Sequence, residues 1–189
     1  MPLSRRVPEH DRRDRSVRVS SPDGDAMTPV DLTGMAVEVT VRFPAATEAV
    51  WDLLTDVERM AGLGPEHVRA RWLGSGPAVG ARFQGWNRIG DHEWDVICVV
   101  TGCRPPEFIE WNVGEGPLPS STWSYTLVPN RGGSTLVTQR FRHGPGGSGV
   151  SSAIEQQPDR EARIVEYRSE MLRTNMIATL EAAARLLEE

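Results

Sequence analysis

With 189 residues, 39% hydrophobic and 25% charged, the chain can form one globular domain with a substantial core, with or without a tail. A net charge of −5 argues against nucleic acid or an anionic membrane as the main partner. All 21 basic residues are arginine, which excludes Schiff-base chemistry on a lysine and any lysine-dependent phosphate loop.

Residues 1–34 mix arginines with aspartates and prolines and show no apolar periodicity, so they read as a disordered tail ahead of a domain at 35–189. Met27 and Met35 both lie just before the first strand, so an overlong start is the other reading of the tail. No apolar run follows the Arg5-Arg6 pair, which removes a twin-arginine signal.

"MAVEVTVRF" alternates, with Val37, Val39, Val41 and Phe43 on one face. After Pro44, Val50, Leu53, Leu54 and Val57 recur at helical spacing, with Trp51 beside them as core. Asp56 can cap a second short helix that Gly62, Gly64 and Pro65 end. Six strand-like segments follow, separated by Gly- and Pro-rich turns with no helix between them. Such spacing calls for an antiparallel sheet of consecutive neighbours. Cys98 and Cys103 fall on one of these strands. Alternation sends them to opposite faces, and roughly 16 Å of strand separates them, beyond the limit of about 7 Å for a disulfide. Two free thiols and no secretion signal point to a reducing cytoplasm.

"HGPGGSGVSSAIEQQPD" reads as a Gly/Ser-rich loop, either a mobile portal or a plain linker. It has neither the spacing of a phosphate loop nor, around Ser148, that of a nucleophile elbow. A long helix from about Asp159, its proposed N-cap, carries a stripe of Val165, Leu172, Met176, Leu180, Ala183 and Leu187. The resulting α+β order is β-α-α-β6-α: a curved antiparallel seven-stranded sheet wrapped around a long C-terminal helix.

That order, with "FPAATEAVWDLLTDVERM", "GARFQGWNRIGDHEW", "STWSYTLVPNRGGSTLVTQRF" and "LRTNMIATLEAAARLLEE", resembles the SRPBCC superfamily of START-like and birch-pollen-allergen-like helix-grip proteins. Within it the chain is most similar to the bacterial polyketide cyclase/dehydrase and lipid-transport group. The resemblance covers residues 35–189. It implies a largely apolar cavity between sheet and terminal helix, and it specifies fold better than activity.

In the sixth of the seven predicted strands Trp123, Tyr125 and Leu127 share a face, and in the last Val137, Gln139 and Phe141 do. Trp94, Trp111, Trp123 and Tyr125 would each pass singly as core filler; together they make a cavity wall. Trp86, out of phase with Phe83 and Gly85, belongs outside. Asn87, Gln139 and Asn175 are amides on apolar faces, to be satisfied by protein groups, by water or by a ligand. Met171 and Met176 suit a core or a cavity of irregular shape. "GDHEWD" clusters ionisable groups, but on a turn where side chains diverge, and His10, His67 and His143 look isolated. No metal and no cofactor is therefore expected.

The expected function is binding of a small hydrophobic or amphipathic molecule, lipid- or polyketide-like, in a closed cavity larger than about 300 Å³. Stable membrane insertion and nucleic-acid binding are not expected, and the oligomeric state is open. The alternative is a polyketide aromatase/cyclase working by enol stabilisation and proton transfer, with Tyr125 as the weak catalytic candidate. Arg88 or Arg140 could assist only if the face assignment were off by one register. A third reading is a protein-interaction module.

Overall fold

The structure is a computed structural model that describes residues 30–188. The segment read as a tail lies outside the described residues for 1–29. At its end, Leu32 is buried, only 5% exposed, in a turn closed by the Met35 amide donating to the Leu32 carbonyl.

Strand β1 (Ala36–Phe43) is followed by helices α1 (Thr47–Thr55) and α2 (Val57–Met60). Six strands come next: β2 (His67–Trp72), β3 (Arg82–Ile89), β4 (His92–Arg104), β5 (Phe108–Val113), β6 (Ser121–Asn130) and β7 (Ser134–His143). Helices α3 (Gly149–Gln156) and α4 (Glu161–Arg185) end the fold. The seven strands form one antiparallel sheet in the order β1-β7-β6-β5-β4-β3-β2. Only the pairing of β1 with β7 departs from sequence order, and it brings the first strand beside the last. The curled sheet grips α4, and the arrangement is the helix-grip fold.

The expected elements form for the expected reasons at most positions. Asp56 caps α2, its carboxylate accepting from the Arg59 amide at 3.0 Å. Apolar alternation buries Val37, Val39 and Phe43 against Val50, Leu53, Leu54, Leu172, Met176 and Leu180.

Three expectations are corrected. The Gly/Ser-rich segment is not a loop throughout, because α3 occupies Gly149–Gln156 with a capping box between Ser148 and Ser151. Its first part is no linker either. The Gly144 and Gly146 amides donate to the Ser120 and Pro119 carbonyls at 2.9 and 3.0 Å. A Cβ at either glycine would strike that backbone, so the glycines serve close approach. Second, α4 starts at Glu161, with Arg160 at the cap and no side-chain cap bond, because a 3-10 turn takes up Pro158–Arg160. Third, Cys103 does not face away from Cys98. A bulge between Val100 and Gly102 shifts the phase, and Cys103, opposite the buried Ile109, packs against the core. Both cysteines are free.

Candidate functional site

Between the concave face of the sheet and α4 lies a cavity of about 870 Å³. Strand alternation sets its wall. From β5 and β6, Trp111 pairs with Trp123 and Ile109 with Tyr125; from β7, Gln139 lies opposite Tyr125 and Phe141 opposite Trp123. Paired residues share a face, so these six side chains converge. Edge-to-face contacts run from Trp72 to Phe83 (5.3 Å) and from Phe83 to Trp111 (5.9 Å), and Trp111 tilts against Tyr125 at 5.3 Å. Trp123 meets Phe141 at 4.9 Å and donates its indole N–H to the Ser121 hydroxyl at 3.1 Å.

All nine residues singled out in the sequence line this cavity, though not at one depth. Tyr125 and Gln139 lie deep, 7% and 6% exposed, with the buried Met176. Asn87, Trp111, Trp123, Met171 and Asn175 are half-buried. Trp94 is at the rim, stacked on the exposed His92 at 5.4 Å. Ile89 (42% exposed) and Tyr167 (67% exposed) also line the cavity, so it opens to solvent between the β3–β4 hairpin and the start of α4. The expected closed chamber is therefore a pocket with a mouth. Trp86 lies outside, under the Arg69 guanidinium at 3.9 Å. Arg140 pairs with Glu38 at 2.6 Å and Arg88 with Glu93 at 3.6 Å, both on the convex face, which removes them from any cavity chemistry.

The polar groups divide into three sets. Deepest, the Gln139 amide donates weakly to the Tyr125 hydroxyl at 3.5 Å, while its Oε1 has no partner. Burial pushes the Tyr125 pKa upward, so the hydroxyl stays protonated and acts as a neutral donor. Burial likewise raises the Cys98 thiol to about 12, which leaves it inert. Towards the mouth, Glu66 receives a bidentate pair of bonds from Arg168 at 2.6 and 2.9 Å. The Asn175 amide adds a third at 3.2 Å, so a carboxylate rather than a ligand takes this N–H. Beside α3, the His143 ring sits between the Gly144 carbonyl (2.7 Å) and the Ser148 hydroxyl (2.8 Å). A carbonyl can only accept, so Nδ1 carries a proton, and in the neutral ring Nε2 accepts from Ser148.

Glu66, His67, Arg168, His143 and Ser148 line the cavity but were absent from the sequence expectation. His143 was within reach, since it continues the inward period of Val137, Gln139 and Phe141. His67 was not. Simple alternation groups it with the outward Arg69 and Arg71, but a bulge between His67 and Arg69 turns it inward opposite Asn87. Gly85 makes room there, because a Cβ at that position would stand 3.2 Å from His67 Nε2. Desolvation lowers the His67 pKa against opposing effects of the Arg69 backbone and the Glu66 charge. Among the described residues no three His, Cys, Asp or Glu side chains are placed to hold a metal ion.

A curved sheet that grips a helix over an apolar, side-opening pocket defines the helix-grip class of domains. The chain belongs to the polyketide cyclase/dehydrase and lipid transport family, whose model matches residues 35–181. A polyketide-cyclase-like protein of Corynebacterium glutamicum is 25% identical, with a TM-score of 0.59 over 82% of this chain and 91% of that one. The Zhui aromatase/cyclase of Streptomyces sp. R1128 is 16% identical, with a TM-score of 0.62 over 81% and 93%. The di-domain aromatase/cyclase StfQ of the steffimycin biosynthetic pathway is 17% identical, with a TM-score of 0.64 over 82% of this chain and 50% of that one. At these lower identities the likeness is one of fold. No curated protein sequence matches the chain. Among the described residues no helix is long and apolar enough to cross a membrane.

Proposed function

We propose that this protein binds a small molecule with an apolar body, lipid- or polyketide-like, in the pocket between its sheet and α4. The supporting observation is the pocket: about 870 Å³, walled by aromatic and aliphatic side chains, with a buried polar pair at its deep end. Such a volume suits a drug-sized ligand, and few convergent polar groups in an apolar wall orient rather than dominate the binding. The free thiols Cys98 and Cys103 agree with a reducing cytoplasm as the place of action. Native mass spectrometry of gently purified protein tests the reading: a bound small molecule of defined mass is expected, released by organic solvent. Protein that arrives empty and takes up no apolar probe counts against it.

A second reading, cyclisation of a poly-β-ketone chain, is favoured by one observation. His67 faces the pocket and burial favours its neutral form, so the wall contains a potential base as well as Tyr125 as a donor. The family and the two aromatase/cyclase folds agree with that chemistry without assigning it. Cyclised product from a poly-β-ketone thioester, lost in both Tyr125→Phe and His67→Gln, would establish it. Product formation undiminished in both variants would remove these residues from the mechanism.

A further inference from the structure

We infer that the ligand presents a hydroxyl-type group, one that both donates and accepts a hydrogen bond, to Tyr125 and Gln139 at the deep end of the pocket. This rests on the binding reading above and narrows its ligand class. Gln139 is 6% exposed, and its Oε1 is the buried side-chain polar atom that finds no partner among the described residues. Its strand neighbours on the same face, Val137 and Phe141, offer no donor; nor does Val39, its partner on β1. The other half of the amide points at the Tyr125 oxygen. Tyr125 accepts in that bond, and its own O–H has no acceptor among the described residues, so it is free to donate into the pocket.

The pair therefore offers an acceptor, Gln139 Oε1, and a hydroxyl donor, Tyr125, beside the second N–H of the Gln139 amide. Turning the amide over exchanges the roles without changing the sum. Tyr125 would then donate to Oε1, leaving the two amide N–H groups as donors and the tyrosine oxygen as acceptor. In either orientation one alcohol, phenol or enol hydroxyl meets the acceptor and one of the donors. A ketone or an ether accepts only, and leaves the acceptor desolvated and unpaired. A hydrocarbon leaves both. A carboxylate also accepts only, and it would bring a charge against aromatic walls where the pocket's arginine, Arg168, is already bound to Glu66. A site built around a donor and an acceptor discriminates against analogues that supply just one of the two.

The test uses the full chain and three probes of one shape: β-naphthol, its methyl ether and the corresponding methyl ketone, titrated by calorimetry. β-Naphthol is expected to bind on the order of 10-fold more tightly than either analogue, the consequence of one unpaired buried group. In Gln139→Leu that preference should fall to about 3-fold or less, chiefly through tighter binding of the ether. Tyr125→Phe should reduce it too, and it serves if Gln139→Leu does not fold by circular dichroism. Equal affinities for all three probes in the wild type, or a preference unchanged in both variants, overturn the hydroxyl requirement while leaving the binding reading intact. If no probe binds, the binding reading itself falls, and the hydroxyl requirement with it.

Discussion

His67 shows how one turned side chain changes what the molecule should do with pH. Its imidazole lines the pocket, and loss of water around it outweighs both the Arg69 backbone and the Glu66 carboxylate, holding its pKa below the ordinary 6.5. Arg168, the nearby cation, is already paired with that carboxylate. The unfolded chain therefore takes up a proton as the pH falls through 6.5, while the folded chain does so only at lower pH. In that interval the unfolded state binds more protons, so this residue makes stability fall on acidification and leaves it unaffected well above 6.5. Urea midpoints at pH 7.5 and 5.5 should differ, and His67→Gln should flatten the difference. An identical pH slope in that variant would mean that other groups carry it. The residue also marks a limit of sequence reading. In "HVRARW" alternation groups His67 with Arg69 and Arg71, and nothing in the string announces the bulge that turns it inward. Cys103 was misassigned for the same reason by the bulge in β4. By contrast Trp111, Trp123, Tyr125 and Gln139 lie on unbulged pairings, and for them period-two alternation was enough to find the concave face.

At the scale of elements, α4 is two helices in function. From Leu172 onward it presents Leu172, Met176, Leu180, Ala183 and Ala184 to the core, and no burial comparable to theirs occurs before Leu172. The earlier half lies over the mouth, where Ile164, Tyr167, Arg168 and Met171 line the pocket. Its fastening is the Arg168–Glu66 pair, with side chains 21% and 16% exposed, plus the Asn175 bond to the same carboxylate. Arg168→Met keeps much of the stem but strands a largely buried Glu66 charge with one amide. We expect a loss of about 1–3 kcal/mol, below the figure for a fully sealed pair. The loss should be uneven. Amide exchange should accelerate across 161–171 and change little across 176–185, where apolar packing holds the helix. Uniform acceleration along the whole helix would show that the ion pair is not the local fastening. The periodic stripe made the packed half of α4 legible in the sequence. The mouth half was not legible, because its anchor, Glu66, lies 102 residues away and pairs with it only through the fold. The α3 cap was half-hidden too, since Ser148 and Ser151 sit inside a glycine run that reads as a linker.

At the scale of the whole molecule, the sheet and α4 leave a hollow that most domains of this size would fill, since interiors ordinarily pack with few voids larger than a water molecule. Keeping it forgoes dispersion contacts and apolar burial, and a ligand restores them in the folded state alone. Two consequences of opposite kind follow, and one substitution separates them. Val96 lines the pocket and is half-buried, and the His67 ring already covers Gly85 opposite it, so a tryptophan at 96 gains room by extending past that ring into the hollow. Val96→Trp should stabilise the ligand-free protein by about 0.5–2 kcal/mol, as cavity-filling changes do. In the unsubstituted protein, β-naphthol at 100 times its Kd should raise Tm by roughly 5–10 °C. In Val96→Trp the same concentration should raise it little, because the volume is taken. Differential scanning calorimetry of both proteins, with and without the probe, reads all four values. A Val96→Trp protein destabilised by about 1–3 kcal/mol would behave as an overpacked core. It would mean that side chains in solution already claim the hollow, and the family's fold would then be present here without the room that a ligand needs.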